Sequence, residues 1–159
     1  MVSAVPKPQR AAIATTVSSV CSGSLVLAAA GLLRSKRATS HWSVLALLKT
    51  MGVNAVGDER VVHEGNIVSS AGVSAGIDLA LWLAGQIGGE ERAKAIQLGI
   101  EYDPQPPFDS GHMSKASAKT KATATASLAR DIAIPATLKA GTQLLWDRAL
   151  TAARSKARR

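Results

Sequence analysis

The pattern of apolar residues near the start of the chain predicts a strand that turns directly into a helix. Residues 13–20 form a short run rich in Val, Thr and Ile, which is typical of a buried strand. Residues 25–33 consist of strong helix formers, and basic residues follow them, which predicts a helix that ends near Gly31. A Cys-Ser-Gly-Ser segment joins the two runs, so Cys21 is predicted to lie at the turn.

Strand and helix patterns continue to alternate along the chain as far as Tyr102. The predicted segments are a short strand within residues 36–42, a helix over 41–51 that Ser40 caps and Gly52 ends, a hairpin over 59–72 that turns at Glu64-Gly65-Asn66, a helix over 72–89 and a helix over 90–102. Because strands alternate with helices, the sequence predicts an α/β layered domain with a largely parallel sheet.

The helix predicted over residues 72–89 is apolar on nearly every side. Its apolar positions are Val73, Ile77, Leu79, Ala80, Leu81, Leu83, Ala84 and Ile87. Such a helix is expected to be buried against the sheet and also against a second subunit, which predicts self-association. Gly72 and Gly76, four residues apart, would allow its first turn to approach another segment closely.

Changes in composition divide the chain into four segments. Residues 1–12 are predicted to be a flexible lead, because Pro6 and Pro8 disfavour regular structure. Residues 13–111 form the α/β domain, and residues 112–122 are predicted to be a basic linker. Residues 123–159 are predicted to be a helix with a basic tail, bent at Pro135.

Composition narrows the chemistry and the setting. The single cysteine excludes an internal disulfide and a metal site made of several cysteines, and no cofactor is predicted. One cysteine also fits a reducing compartment, which predicts a cytoplasmic protein. The first ten residues lack the apolar core of a secretory signal, and no run approaches the roughly 20 apolar residues of a membrane span, so no membrane association is predicted.

The net charge of +8 raises the question of a nucleic-acid partner. Much of the excess lies in two segments, residues 114–122 and 154–159. Neither segment has aromatic residues between its basic ones, and neither contains a known nucleic-acid recognition motif. A solvated basic tail is therefore predicted, and nucleic-acid binding is not.

Four blocks of the sequence, in order, resemble a known family. They are SVCSGSLVLAAAGLL, RATSHW, SSAGVSAGIDLALWLA and IQLGIEYDPQPPFD. Together they are similar to the C-terminal portion of the ThiJ/PfpI superfamily (class I glutamine amidotransferase-like), in the branch of the isonitrile hydratases. The same domain also forms part of some AraC-type transcription regulators. The resemblance covers residues 13–110 and extends to the final helix.

The resemblance implies a fold, an activity and a set of site residues. The fold would be a flavodoxin-like three-layer α/β sandwich, here without its N-terminal strands, and the protein would be a homodimer. Cys21 would be the reactive cysteine of a nucleophile elbow, with Ser22 and Gly23 as the substrate-binding positions after it and His41 as a second catalytic residue. The substrate would be a small isonitrile, hydrated to an N-substituted formamide.

The residues themselves leave alternatives open. A thiol at a helix start would be favoured as thiolate by the helix dipole, and nearby N–H groups could hold developing negative charge. A lone cysteine can equally be a small core residue, and His41 can simply cap the next helix. The remaining candidates are expected to be surface or packing residues with no defined acid and base pair: His63, His112, Trp42, Trp82, Trp146, Asp78, Glu101, Asp103 and Asp109.

One departure from the family pattern bears on activity. The resemblance implies about a hundred residues before the cysteine strand, including an acidic partner of the cysteine, whereas the twenty residues before Cys21 contain no Asp or Glu. An open sheet edge beside residues 13–20 follows. Three hypotheses remain: a hydratase that is truncated or completed by another chain, a non-catalytic sensing or interaction module, and an inactive fragment.

Overall fold

The computed structural model describes residues 15–132, and the chain divides into two compact units between Gln105 and Pro106. Several predictions fall outside the described residues: the flexible lead over residues 1–12, the first residues of the strand predicted from Ile13, the part of the C-terminal helix beyond residue 132 with its bend at Pro135 and its basic tail, and the packing role of Trp146.

The first unit alternates strands and helices, and this confirms the predicted α/β class. Its elements are β1 (Val17–Val20), α1 (Gly23–Ala29), β2 (Arg37–Ala38), a 3-10 turn (Trp42–Val44), α2 (Leu45–Thr50), β3 (Asn54–Ala55), β4 (Val61–Glu64), β5 (Ile67–Ser70), α3 (Val73–Gly88) and α4 (Glu90–Gly99). The two-residue strand β3 was not predicted, because a segment this short has no periodicity to detect.

The strands form two small sheets. The three-stranded sheet has the order β1-β5-β4, with β1 parallel and β4 antiparallel to β5, while β2 and β3 form a parallel pair. Val20 at the end of β1 is paired with Ser70 at the end of β5. In the described part of the chain β1 is therefore an edge strand, and its last residue adjoins the end of the central strand.

The predicted hairpin is confirmed. Glu64 is paired with Ile67, so Gly65 and Asn66 form a two-residue turn, and Gly65 has a φ of +61°. Two-residue hairpin turns need residues that tolerate positive φ, and glycine does so without steric cost.

The hydrophobic core lies between α1, α2 and the sheets. The buried apolar residues of this cluster are Leu27, Ala28, Leu33, Ala38, Leu48, Val53 and Ile67. Helix α1 is shorter than the predicted helix over residues 25–33, since it ends at Ala29. Leu33 nevertheless lies fully inside the core, because the chain turns back toward the core after Gly31 at a φ of +79°.

The helix predicted over residues 41–51 begins differently. The chain first makes the 3-10 turn Trp42–Val44 and then α2, and His41 rather than Ser40 caps the turn. The prediction of Ser40 as the N-cap is wrong, because its hydroxyl donates to a carbonyl nineteen residues away. The predicted end at Gly52 is confirmed, and this residue has a φ of +81°.

Helices α3 and α4 meet at Gly89, which has a φ of +85°. Within α3 only Ala75 and Leu79 are buried, whereas Val73 and Ile87 are largely exposed. The chain alone thus leaves much of this helix uncovered, and its burial against a second subunit stays a prediction. Helix α4 ends at Gly99, three residues earlier than predicted.

The second unit contains helix α5 (Ala118–Ile132). It begins five residues before the predicted start at residue 123, inside the segment predicted to be a linker over residues 112–122, because alanine and lysine favour helix. From residue 106 to residue 130 every described side chain is exposed or half-buried. No helix among residues 15–132 is both long enough and apolar enough to span a membrane.

Candidate active site around Cys21

Cys21 lies in a sharp turn between β1 and α1. Strand β1 ends at Val20, α1 begins at Gly23, and Cys21 itself has a φ of +57°. This left-handed conformation is uncommon for a residue with a Cβ atom. The thiol is free and the residue is half-buried. The predicted position at a strand-to-helix turn is confirmed, and the chemical role of the thiol stays a prediction.

Three hydrogen bonds hold the backbone of Cys21. Its N–H donates to the carbonyl of Ser70 at 3.2 Å, which continues the pairing of β1 with β5. Its carbonyl oxygen accepts from Ser40 Oγ at 2.9 Å and from Ser24 Oγ at 3.4 Å. Ser24 and Ser40 are both buried. The turn is therefore held from the central strand, from the following helix and from the segment after β2.

More buried hydroxyl groups surround this turn. Thr39 donates its N–H to Ser69 Oγ at 2.9 Å, and Ser70 Oγ donates to the Ser19 carbonyl at 3.5 Å. Ser19 Oγ and Thr39 Oγ1 are buried without a hydrogen-bond partner among the described residues. Sequence reasoning missed this cluster, because it treated the hydroxyl residues of β1, β5 and the β2 loop as strand and turn residues. The sequence does carry a sign of this cluster, because pairs of neighbouring Ser or Thr residues lie at or near the ends of three strands, β1, β2 and β5.

The two predicted substrate-binding positions follow Cys21 directly. Ser22 is the N-cap residue of α1, its side chain is exposed, and its hydroxyl makes no capping hydrogen bond. Gly23 is the first residue of α1, and a Cβ atom there would lie 3.6 Å from Ser19 Cβ. Their role in binding a substrate stays a prediction.

His41 lies beside the start of α3. Its Nδ1 is 2.7 Å from Ser43 Oγ and accepts weakly from the Ser43 N–H at 3.4 Å. A Cβ atom on Gly72 would lie 3.8 Å from His41 Cδ2, so the ring faces the beginning of that helix. Burial lowers the pKa of His41 below its usual value of 6.5, which favours the neutral ring.

The segment that contains His41 contacts the backbone of Cys21. Ser40, the residue before His41, donates to the Cys21 carbonyl. Among residues 15–132, however, no hydrogen bond joins the His41 ring to the Cys21 sulfur. A catalytic role for His41 therefore stays a prediction.

A second polar cluster, which sequence reasoning also missed, lies on α3. Asp78 accepts from Arg60 Nε at 2.7 Å and from the Tyr102 hydroxyl at 2.7 Å. The hydrogen bond to Asp78 raises the pKa of Tyr102 above its usual value of 10.0. Arg60 and Tyr102 lie 18 and 24 residues from Asp78 along the chain, so no local spacing in the sequence reveals the cluster.

The other candidates of the sequence analysis occupy separate places. His63 is exposed and its ring lies edge-on to Trp82 with 4.5 Å between ring centroids. Asp103 accepts from Gln105, and Asp109 pairs with Lys115. Within residues 15–132 no three His, Cys, Asp or Glu side chains are grouped closely enough to hold a metal ion.

Comparison with known proteins agrees with this geometry. Residues 9–86 match the model of the DJ-1/PfpI family. The isonitrile hydratase of Pseudomonas putida is 55% identical over 102 residues, which are 64% of this chain and 44% of that protein. The HTH-type transcriptional regulator CdhR of Pseudomonas aeruginosa is 39% identical over 88 residues, which are 55% of this chain and 26% of the regulator.

Among solved structures, a ThiJ/PfpI family protein from Pseudomonas syringae has a TM-score of 0.70 and 41% identity, and the match covers 76% of this chain and 50% of that one. This chain thus spans about half the length, or less, of the relatives that it matches. The likeness confirms the flavodoxin-like α/β fold. Residues 9–86 of this chain are therefore similar to a portion of the DJ-1/PfpI family domain.

Proposed function

We propose that this protein is an isonitrile hydratase-like member of its family, with Cys21 as the nucleophile. The observation that carries the proposal is the position of Cys21, a free thiol held at a φ of +57° between β1 and α1. Nucleophile elbows use a strained strand-to-helix turn of this kind to present a reactive side chain. The 55% identity to an isonitrile hydratase over 102 residues supports the substrate class.

The proposed reaction begins with attack by the Cys21 thiolate on the terminal carbon of an isonitrile. A proton added to the same carbon gives a thioimidate that joins Cys21 to the substrate. Water then adds to that carbon, the carbon–sulfur bond breaks, and the products are an N-substituted formamide and the free thiolate. The net change is the addition of one water molecule, so no cofactor or oxidant is needed.

The neighbouring residues have proposed roles in these steps. The backbone N–H groups of Ser22 and Gly23 would stabilise negative charge that develops beside the sulfur. His41, which burial favours in its neutral form at pH 7, would accept a proton from the thiol or from the attacking water. The proposal includes a homodimer in the cytoplasm, and the exposed Val73 and Ile87 of α3 support the dimer.

Activity of the 159-residue chain by itself is expected to be low. The family resemblance implies an acidic partner for the cysteine, and no Asp or Glu precedes Cys21 in this sequence. Acid and base groups typically contribute roughly 10²–10⁴-fold to a rate. Isonitrile turnover by this chain alone is therefore expected to stay near background.

The test measures formamide formation from a small isonitrile by the 159-residue chain, alone and with an added family N-terminal half that carries the acid. The added half is expected to raise turnover, and Cys21→Ser is expected to abolish the gain. If the chain alone hydrates the isonitrile well and Cys21→Ser stops it, the missing-acid argument is wrong. If Cys21→Ser has no effect in either setting, the nucleophile assignment is wrong.

The match to an HTH-type regulator favours a second candidate function. In this candidate the portion acts as a non-catalytic sensing module, since 88 residues are 39% identical to that regulator. A small molecule that raises the melting temperature equally in wild type and Cys21→Ser, without being converted, would support the sensing module over the hydratase.

A further inference from the structure

The carbonyl of Cys21 is held by buried hydroxyl groups from two different places in the chain. Ser24 lies three residues after Cys21, so a bond at 3.4 Å is a local consequence of the turn into α1. Ser40 lies nineteen residues away and donates at 2.9 Å. With an exposed fraction of 1%, its hydroxyl is shielded from water. Local backbone geometry does not account for this second bond.

The Cys21 conformation needs such support. A left-handed φ crowds the Cβ atom of an ordinary residue, and the conformation persists only where the surroundings hold it. Here the N–H is fixed by the Ser70 carbonyl and the carbonyl by Ser40 and Ser24. Of the two hydroxyl donors, Ser40 makes the shorter bond.

Holding this carbonyl also fixes the next N–H group. The peptide between Cys21 and Ser22 is planar and trans, so the Ser22 N–H points opposite to the Cys21 carbonyl. If the carbonyl is pinned toward buried hydroxyl groups, the N–H direction is set as well. One hydrogen bond from Ser40 thus constrains both the residue that carries the thiol and the donor that follows it.

We propose that Ser40 is a positioning residue for the nucleophile, one that holds the Cys21–Ser22 peptide in its reactive orientation. This inference rests on the proposed function, because it takes Cys21 as the reacting group. Ser40 does not touch the substrate; it acts through the Cys21 carbonyl. Without its hydroxyl the peptide can rotate, and the direction of the Ser22 N–H is no longer fixed.

The experiment measures alkylation of Cys21 by iodoacetamide in the full chain, as a function of pH, by intact-mass spectrometry. Cys21 is the only cysteine, so each added mass reports this site. The variants are Ser40→Ala, Ser24→Ala and Ser40→Thr, which keeps a hydroxyl group. Ser19→Ala is the matched control, because it removes another buried serine hydroxyl, one without a hydrogen-bond partner among the described residues.

Ser40→Ala is expected to slow alkylation near neutral pH by roughly three- to tenfold, the effect of losing one hydrogen bond. Ser24→Ala is expected to have a smaller effect in the same direction. Ser40→Thr is expected to restore most of the rate, and Ser19→Ala is expected to match the wild type. If Ser40→Ala does not fold, the alkylation rates of Ser24→Ala and Ser40→Thr are compared with the same control instead.

Two outcomes would overturn the proposal: a wild-type rate of alkylation in Ser40→Ala, or equal slowing by Ser19→Ala. Where only the other variants fold, it is overturned by slowing of Ser40→Thr or by a wild-type rate of Ser24→Ala. Alkylation requires no isonitrile, so the result is separate from the proposed activity. Graded alkylation without any hydration would contradict the hydratase and leave Ser40 as a positioning residue of a reactive thiol.

Discussion

The two units of the chain differ in charge and in burial. Residues 1–105 contain nine Lys or Arg and eight Asp or Glu, whereas residues 106–159 contain ten and three, so the net charges are +1 and +7. The first unit buries both apolar and hydroxyl side chains. The second buries no side chain between residues 106 and 130. Because its side chains are buried, the stability of the first unit is expected to fall when a substitution removes or adds even a few atoms. The described part of the second unit is expected to tolerate most substitutions.

The largest expected difference concerns leucine. Leu48 is fully buried in the core of the first unit, and Leu48→Ala is expected to lower the free energy of unfolding by about 2–5 kcal/mol. Leu128 of α5 is only half-buried, so Leu128→Ala is expected to cost less than about 1 kcal/mol. Urea unfolding followed by circular dichroism measures both values. If both variants lose the same free energy of unfolding, the second unit also has a hydrophobic core, and the contrast between the units is wrong.

A smaller effect is expected where α3 packs on β1. A Cβ atom at Gly76 would lie 2.7 Å from Val20 Cγ1, so Gly76→Ala is expected to destabilise the first unit by about 1–3 kcal/mol. At Gly85 the new atom would lie 3.7 Å from Ala93 Cβ, an ordinary contact, and Gly85→Ala is expected to be neutral or stabilising.

The control for this contact is the double variant. Val20→Ala removes the atoms that a Cβ at position 76 would strike, so adding it to Gly76→Ala is expected to recover part of the lost stability. Thermal denaturation of the two single variants and the double variant measures the coupling. Strictly additive losses would mean that the two residues do not meet.

The smallest effect concerns the end of the first unit. Tyr102 is the only tyrosine, so absorbance at the phenolate band titrates this residue alone. Its hydrogen bond to Asp78 raises its pKa, and Asp78→Asn is expected to lower the midpoint toward 10.0. Asp103→Asn, which removes a carboxylate bonded to Gln105, is expected to leave the midpoint unchanged.

The raised pKa of Tyr102 also determines how the stability of the fold changes with pH. Because the folded state holds the Tyr102 proton more tightly than the unfolded state, this hydrogen bond stabilises the fold fully below pH 10.0. Its contribution is lost as the pH rises through the higher folded pKa. Denaturation midpoints of wild type and Tyr102→Phe are therefore expected to converge at high pH, and a constant difference would contradict the assignment.

Local patterns predicted the elements whose signals are local. The turn at Gly65 needs only a glycine between two β runs, and the Cys21 junction follows from a change in periodicity within a few residues. The helix that begins at Ala118 starts before the predicted residue 123, because the alanine and lysine residues of the predicted linker favour helix.

Contacts between residues far apart in the chain could not be predicted from the sequence patterns. Ser40 looks like an N-cap next to a helical pattern, and nothing nearby in the chain indicates its bond to Cys21. The Asp78 cluster likewise depends on a hairpin residue and on Tyr102 reaching one helix. Family resemblance identified Cys21 as the candidate nucleophile, but the groups that hold it became visible only in three dimensions.

The positive φ of Cys21 has a consequence for how this position tolerates change over evolutionary time. Glycine adopts this conformation without strain, and relieving it would typically stabilise a protein by about 1 kcal/mol. A population selected only for folding would therefore be expected to accumulate the Cys21→Gly substitution, and one selected for a reactive thiol would retain cysteine despite its lower stability. A library of all residues at position 21, sorted once for abundance and once for thiol labelling, should rank glycine and cysteine in opposite orders.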